Sequence, residues 1–200
     1  GQPLPGDAAL VILPGSKTTI ADMEDFRAQG WDIDLKAHVR RGGQVLGICA
    51  GYQMLGRCII DSGGIEGAPG ETAGLGLLQI ETRLGGDKTL AEVEGTASGG
   101  LGRVHGYEMH MGQSSGADTV RPFLELGDED GGAVSEDGCV MGCYLHGLFS
   151  ADNFRTAFLA RLGGSGSGLA YEKDVEAALD ELADAMESHL DLDGLAALAR

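Results

Sequence analysis

Val45-Leu46-Gly47-Ile48-Cys49-Ala50-Gly51-Tyr52-Gln53-Met54-Leu55-Gly56 is the stretch whose reading decides the fold. Its first half is a short apolar run that reads as a buried strand, and the residues after the cysteine read as the start of a helix. Between them Gly47-x-Cys49-x-Gly51 forms a cysteine version of the nucleophile elbow. The flanking glycines allow a sharp turn and keep bulk away, so the thiol stands above the strand end. At a helix N-terminus, unpaired N–H groups and the macrodipole favour thiolate over thiol. The Ala50 N–H is placed to hold a developing oxyanion. The competing reading is a core cysteine ahead of a helix, since free cysteines are often buried.

Working outward, 200 residues suit one domain with a full core. The net charge of −17 argues against nucleic acid or an anionic membrane surface as partner. No apolar run reaches membrane length and no signal-peptide pattern occurs. Cys49, Cys58, Cys139 and Cys143 contain no CxxC pair, so neither a zinc ribbon nor a thioredoxin-type site is indicated. They read instead as thiols of a reduced, cytoplasmic protein, and no metal site is expected.

Upstream, the chain opens without methionine and enters a strand, Ala8 to Leu13, closed by Pro14-Gly15-Ser16. That opening reads as a cut end inside a longer protein. Helices are expected over Asp22 to Gln29 and Ile33 to Arg41, the second ended by Gly42-Gly43. Alternating strands and helices predict an α/β fold, an open, mostly parallel sheet with helices on both faces. Ligands bind at strand carboxyl ends in such sheets, which puts Gly15 and Cys49 on one rim. Gly15 is the natural second oxyanion donor.

Downstream, Glu66 and Glu71 sit in a glycine-rich loop and read as solvent-facing. Leu75 to Thr82 reads as a strand, and Gly85 to Gly102 as a polar excursion of little core value. In the strand Val104 to Gly112, Glu108 and His110 share one face and Tyr107 and Met109 the other. For His110, a functional and a solvent-facing role are both open; His38 and His105 read as surface histidines. Pro122 to Leu126 and Gly132 to Ser135 read as a hairpin around the glycines at 127 and 131. Val140 to Gly147 is a strand ending in His146, where a base for Cys49 would stand.

Ala151 to Leu162 reads as a helix with Phe154, Phe158 and Leu162 on one face. Residues 163–168 are a Gly/Ser linker, dividing a domain over 1–162 from a helical extension over 169–200. In that extension Val175, Leu179, Leu182, Met186 and Leu190 make an apolar stripe. From 171 onward nine acidic residues face Lys173 and Arg200 alone. The stripe of this acidic amphipathic helix is expected to pack on the domain or on a partner domain.

Four ordered motifs carry a family resemblance: Leu13-Pro14-Gly15-Ser16-Lys17, the elbow, Gly106-Tyr107-Glu108-Met109-His110-Met111-Gly112 and Tyr144-Leu145-His146-Gly147-Leu148-Phe149. Together they resemble the glutamine amidotransferase domain of the cobyric acid synthase family, nearly end to end. The resemblance implies a flavodoxin-like, class I glutamine amidotransferase fold. It implies glutamine hydrolysis, with ammonia passed to an ATP-dependent synthetase domain that amidates corrin carboxylates, converting adenosylcobyrinic acid a,c-diamide to cobyric acid. On that reading Cys49 is the nucleophile, His146 the general base, and Gly15 and Ala50 the oxyanion hole. Gln53, Tyr107 and His110 would contact glutamine. Leu148 stands where most class I enzymes carry a third catalytic glutamate, and Glu108 is the substitute orienter of His146. No cofactor is expected here. ATP and Mg would belong to the synthetase region, since no GxxxxGK[ST] occurs in these residues. The corrinoid would bind elsewhere. Alternatives are the related domain of cobyrinic acid a,c-diamide synthase, a non-catalytic docking module of the same fold, and a cysteine hydrolase acting on another substrate.

Overall fold

In the computed structural model, which describes residues 2–86, 89–127, 129–166 and 168–198, the elbow sits at the end of the second strand. Asp128 of the 127–131 turn and Ser167 of the linker lie outside the described residues, as do Asp87 and Lys88 of the predicted excursion. In chain order, β1 (Leu10–Leu13), α1 (Thr19–Ala28) and α2 (Trp31–Arg40) precede β2 (Gln44–Ile48) and the short α3 (Ala50–Leu55). Then come β3 (Cys58–Asp61), β4 (Gly70–Ala73), β5 (Ile80–Arg83), β6 (Thr89–Ala97), β7 (Gly102–His110) and β8 (Gln113–Gly116). The last strands are β9 (Leu124–Leu126), β10 (Glu129–Gly131), β11 (Ala133–Val134), β12 (Val140–Cys143) and β13 (Leu145–His146). Helices α4 (Asp152–Arg161), α5 (Tyr171–His189) and α6 (Leu192–Leu198) close the chain.

The sheet that holds the elbow has the order β1-β2-β12-β11, its first three strands parallel. Both of its faces are covered, as parallel sheets require. Val45 joins Met23 of α1, Leu35 of α2 and Tyr52 of α3 in one cluster. Leu46, one residue on, points the other way and joins Met141, Phe154 and Phe158. Among the described residues, parallel pairing elsewhere is confined to β3 with β5. The other two sheets, β4-β3-β5-β8 and β10-β9-β6-β7-β13, are otherwise antiparallel.

Several sequence expectations are corrected. The strand predicted over Leu75 to Thr82 is confined to β5. The segment before it caps α3 instead: the Leu75 N–H donates to Met54 O at 2.8 Å, and those of Leu77 and Leu78 donate to Leu55 O at 2.9 Å. The last carbonyls of a helix need such donors, and this demand outweighs strand pairing. The supposed excursion contains β6, which pairs with β7 from Thr89↔His110 to Ala97↔Gly102. Its composition is poor for a strand, but cross-strand pairing decides strand formation more than propensity. Of the predicted hairpin, β9 pairs with β10, while β11 pairs with β12 in the other sheet. Gly132, at φ 73°, turns the chain between the two.

His38 is not a surface residue. It is 4% exposed, its Nε2 lies 2.9 Å from Gln44 O, and it fills the space beside Gly43. Glu66 is not a free loop acid either. Its Oε2 accepts the Ile20 N–H at 2.9 Å and its Oε1 accepts the Thr19 hydroxyl at 3.0 Å, which fastens the loop to the start of α1. Asp61, fully buried, accepts the backbone N–H groups of Glu66 and Ile65, which hold its carboxyl below the ordinary value.

Helix α5 has no buried residue, and Leu179 and Leu182 are 53% and 56% exposed. Its stripe therefore does not pack on the domain. The helix is tied down at its start, where the Tyr171 N–H donates to Asp152 Oδ1 at 3.0 Å and Glu172 meets His105 at 3.3 Å. Among the described residues no helix is long and apolar enough to cross a membrane.

Candidate active site at the elbow

Cys49 has φ 54° and ψ −113°, the one positive φ outside glycine among the described residues. Such a conformation costs on the order of 1–3 kcal/mol and persists only where its surroundings fix it. The two elbow glycines show why it is fixed. A Cβ at Gly51 would lie 2.0 Å from Leu13 O, and one at Gly47 would lie 2.6 Å from Leu55 Cδ1. Neither glycine can carry a side chain without separating β1, β2 and α3. The Gly51 N–H also donates to Pro14 O at 3.1 Å, and the Cys49 N–H to Cys143 O at 2.9 Å.

Gly15 lies between the Cys49 and His146 side chains. A Cβ there would meet His146 Cε1 at 3.3 Å and Cys49 Cβ at 3.5 Å, so the turn after β1 brings glycine, thiol and imidazole around one point. The thiol points towards β7 and donates to Met109 O at 3.6 Å. Burial pushes the Cys49 thiol above its ordinary value, and the Ala50 N–H works in the opposite direction. The helix-terminus effect expected from sequence is present but outweighed by desolvation in this resting arrangement.

His146 pairs with Tyr107 across β13 and β7, and their rings stack at 5.0 Å with 7° between planes. Its Nε2 is buried and, among the described residues, without a hydrogen-bond partner. A buried, unpaired ring nitrogen is costly. Glu108 pairs with Leu145 and so projects to the other face of the ribbon from His146. Its carboxylate meets His110 Nε2 at 3.8 Å. The orienter expected from sequence is thus brought to His110 and not to His146. Leu148 is buried at 1% exposure.

His110 stacks on Tyr144 at 3.8 Å, and its Nδ1 lies 3.1 Å from Gly112 O. Gln53, 3% exposed, donates from Nε2 to Met111 O at 3.2 Å and to the Tyr144 hydroxyl at 3.4 Å, and its Oε1 accepts from Thr19 at 3.4 Å. Beyond this layer a cavity of about 1080 Å³ opens, lined among others by Arg83, Glu108, His110, Ser114 and Tyr144. Arg83 supplies its cationic side chain. Sequence reasoning missed that residue, because an arginine at a strand end carries no motif of its own. It missed Glu66 because a carboxylate in a glycine-rich loop looks like any solvated acid. Among the described residues no group of three or more His, Cys, Asp or Glu is placed to hold a metal.

A strained cysteine on an α/β elbow, with a histidine and a glycine at the same point, can carry out acyl transfer through a thioester. The overall fold is that of class I glutamine amidotransferases. A solved glutamine amidotransferase superposes with a TM-score of 0.56 at 20% identity, over 77% of this chain and 78% of its own. A structure of PurLQS from Thermotoga maritima gives 0.57 at 17% identity, over 81% and 82%. The chain belongs to the CobB/CobQ-like glutamine amidotransferase domain family, which matches residues 1–154. It is 58% identical over 200 residues to cobyric acid synthase from Rhodobacter capsulatus and likewise 58% identical to that from Methylocella silvestris. Each match covers all of this chain and 42% of the relative, so the chain spans less than half of these proteins.

Proposed function

We propose that this chain is the glutaminase part of a cobyric acid synthase. The observation that carries the proposal is the convergence of Cys49, Gly15 and His146 at the strained elbow. His146 takes the thiol proton, and Cys49 Sγ attacks the side-chain amide carbon of glutamine. The N–H groups of Gly15 and Ala50 stabilise the oxyanion. The C–N bond then breaks, and the proton held by His146 leaves with nitrogen as ammonia. Water, deprotonated by His146, cleaves the thioester to glutamate and restores the thiol.

Glutamine's α-carboxylate and α-ammonium need opposite charges, and the cavity beyond His110 offers Arg83 and Glu108. His110 lines that cavity, Tyr107 stacks on His146 from the other face of β7, and Gln53 donates to Met111 O and the Tyr144 hydroxyl behind them. Ammonia then serves ATP-dependent amidation of corrin carboxylates, taking adenosylcobyrinic acid a,c-diamide to cobyric acid. ATP, Mg and the corrinoid bind outside these 200 residues, in the synthetase region of the full-length protein, which works in the cytoplasm. The relatives' names and their greater length support this division. The exposed stripe of α5 is the surface for that region: apolar, rimmed by acids, and uncovered by its own domain.

Mass spectrometry after exposure to 6-diazo-5-oxo-L-norleucine, a glutamine-mimicking alkylator, tests the reading. A single adduct on Cys49 of the full-length protein, blocked by excess glutamine, is the expected result. Absence of that adduct would refute it.

A further inference from the structure

Tyr144 belongs to neither strand that flanks it. The chain leaves the parallel sheet after Cys143 and joins the five-stranded sheet at Leu145, so Tyr144 is the single residue at the crossing. Each side of it is committed. Before it, Cys143 O accepts the Cys49 N–H at 2.9 Å. After it, His146 pairs with Tyr107. The placement of the imidazole relative to Cys49 therefore depends on how the chain turns at Tyr144.

That turn is pinned through the side chain. The Tyr144 hydroxyl lies 2.7 Å from Ser114 Oγ, which is itself 2.7 Å from Thr82 Oγ1, and it accepts the Gln53 amide at 3.4 Å. The ring stacks on His110 at 3.8 Å and meets Tyr52 edge-on at 5.2 Å. These partners come from α3, β5, β7 and β8, so one side chain references the crossing to four elements. Among the described residues no carboxylate is paired with His146, and its Nε2 has no hydrogen-bond partner.

We propose that Tyr144 is a positioning residue that sets the placement of His146 relative to Cys49 through its hydroxyl contacts with Ser114 and Gln53, in place of a third catalytic group. The proposal rests on the glutaminase reading above. It does not make Tyr144 a catalytic residue, since its hydroxyl is taken up by Ser114 and Gln53.

The test uses full-length protein with Tyr144→Phe, which keeps both ring contacts, and with Ser114→Ala, which leaves Tyr144 intact. Misplacement of a reacting pair costs up to about a hundredfold in rate. Each variant should lower glutaminase kcat by about tenfold with KM within about twofold, and the double variant should be little worse than either single one. Alkylation of Cys49 by 6-diazo-5-oxo-L-norleucine should slow in parallel. A raised KM with unchanged kcat would overturn the proposal, because Tyr144 would then serve substrate contacts through Gln53 alone. Unchanged kinetics, or full additivity of the two substitutions, would also overturn it. A wild-type protein that forms no Cys49 adduct removes the glutaminase reading and the proposal with it. A reactive wild type beside an equally reactive Tyr144→Phe removes the proposal alone.

Discussion

The two halves of the candidate active site are built in opposite ways. Cys49 is held by a backbone with no slack: a positive φ, two glycines whose missing Cβ atoms would collide with β1 and α3, and N–H bonds to Pro14 and Cys143 from Gly51 and Cys49 itself. His146 stands on a strand of two residues in another sheet, with a stacked tyrosine on one side and, among the described residues, no partner for its Nε2. The thiol is fixed by covalent geometry and packing, and the imidazole by its neighbours. The two sides should therefore fail differently.

The largest effect is expected from Cys49→Ala in the full-length enzyme. Glutamine-dependent amidation should fall by about a thousandfold or more, while free ammonia still supports the reaction. Equal loss with both nitrogen donors would mean that Cys49 is structural. His146→Ala should cost about a hundredfold or more in glutaminase kcat, the usual worth of a general base, with little change in melting temperature. A large drop in melting temperature would show that the base is held as rigidly as the nucleophile.

Gly51→Ala reverses that pattern. It should destabilise the protein by about 3 kcal/mol and lower Tm by roughly 6–12 °C, because the new Cβ meets Leu13 O. A calorimetric scan that matches wild type would show that the elbow has slack after all. The smallest effect is one of pH. Burial raises the Cys49 thiol above its ordinary value of 9.0, and only the thiolate reacts. Without glutamine, alkylation by iodoacetamide should therefore still be climbing at pH 9.0, where an unperturbed thiol is already half ionised. A plateau near neutrality would show that the helix terminus and His146 outweigh burial.

This asymmetry also explains what could be read from the sequence. The elbow announces itself because its constraints are local: Gly47, Cys49 and Gly51 lie within five residues, and their types follow from φ and from close approach. The parallel strands, the two buried faces at Val45 and Leu46, and the aromatic face of α4 followed from the same short-range patterns. His146 could be located, since it ends an apolar strand, but its environment depends on pairing with β7, thirty-nine residues earlier. Glu108 meets His110 and not His146 because its spacing from His110 fixes a face, while only the pairing register tells which face His146 shares. Strand β6 was missed for a related reason, since nothing local in a polar, glycine-rich stretch encodes nine pairs with β7. The sequence alone leaves His38 and Glu66 looking solvated because their partners, Gln44 O and the start of α1, appear only once the chain is folded.

The crossing at Tyr144 has an evolutionary consequence. Because the thiol-bearing sheet and the imidazole-bearing sheet pass into each other through single residues, Gly132 and Tyr144, each sheet can vary with little disturbance of the other. Drift in the hairpin of β6 and β7 can retune the base, its stacking partner and the wall of the cavity, while the elbow remains unchanged. A lineage can thus diversify what it admits and when it reacts without reinventing its nucleophile.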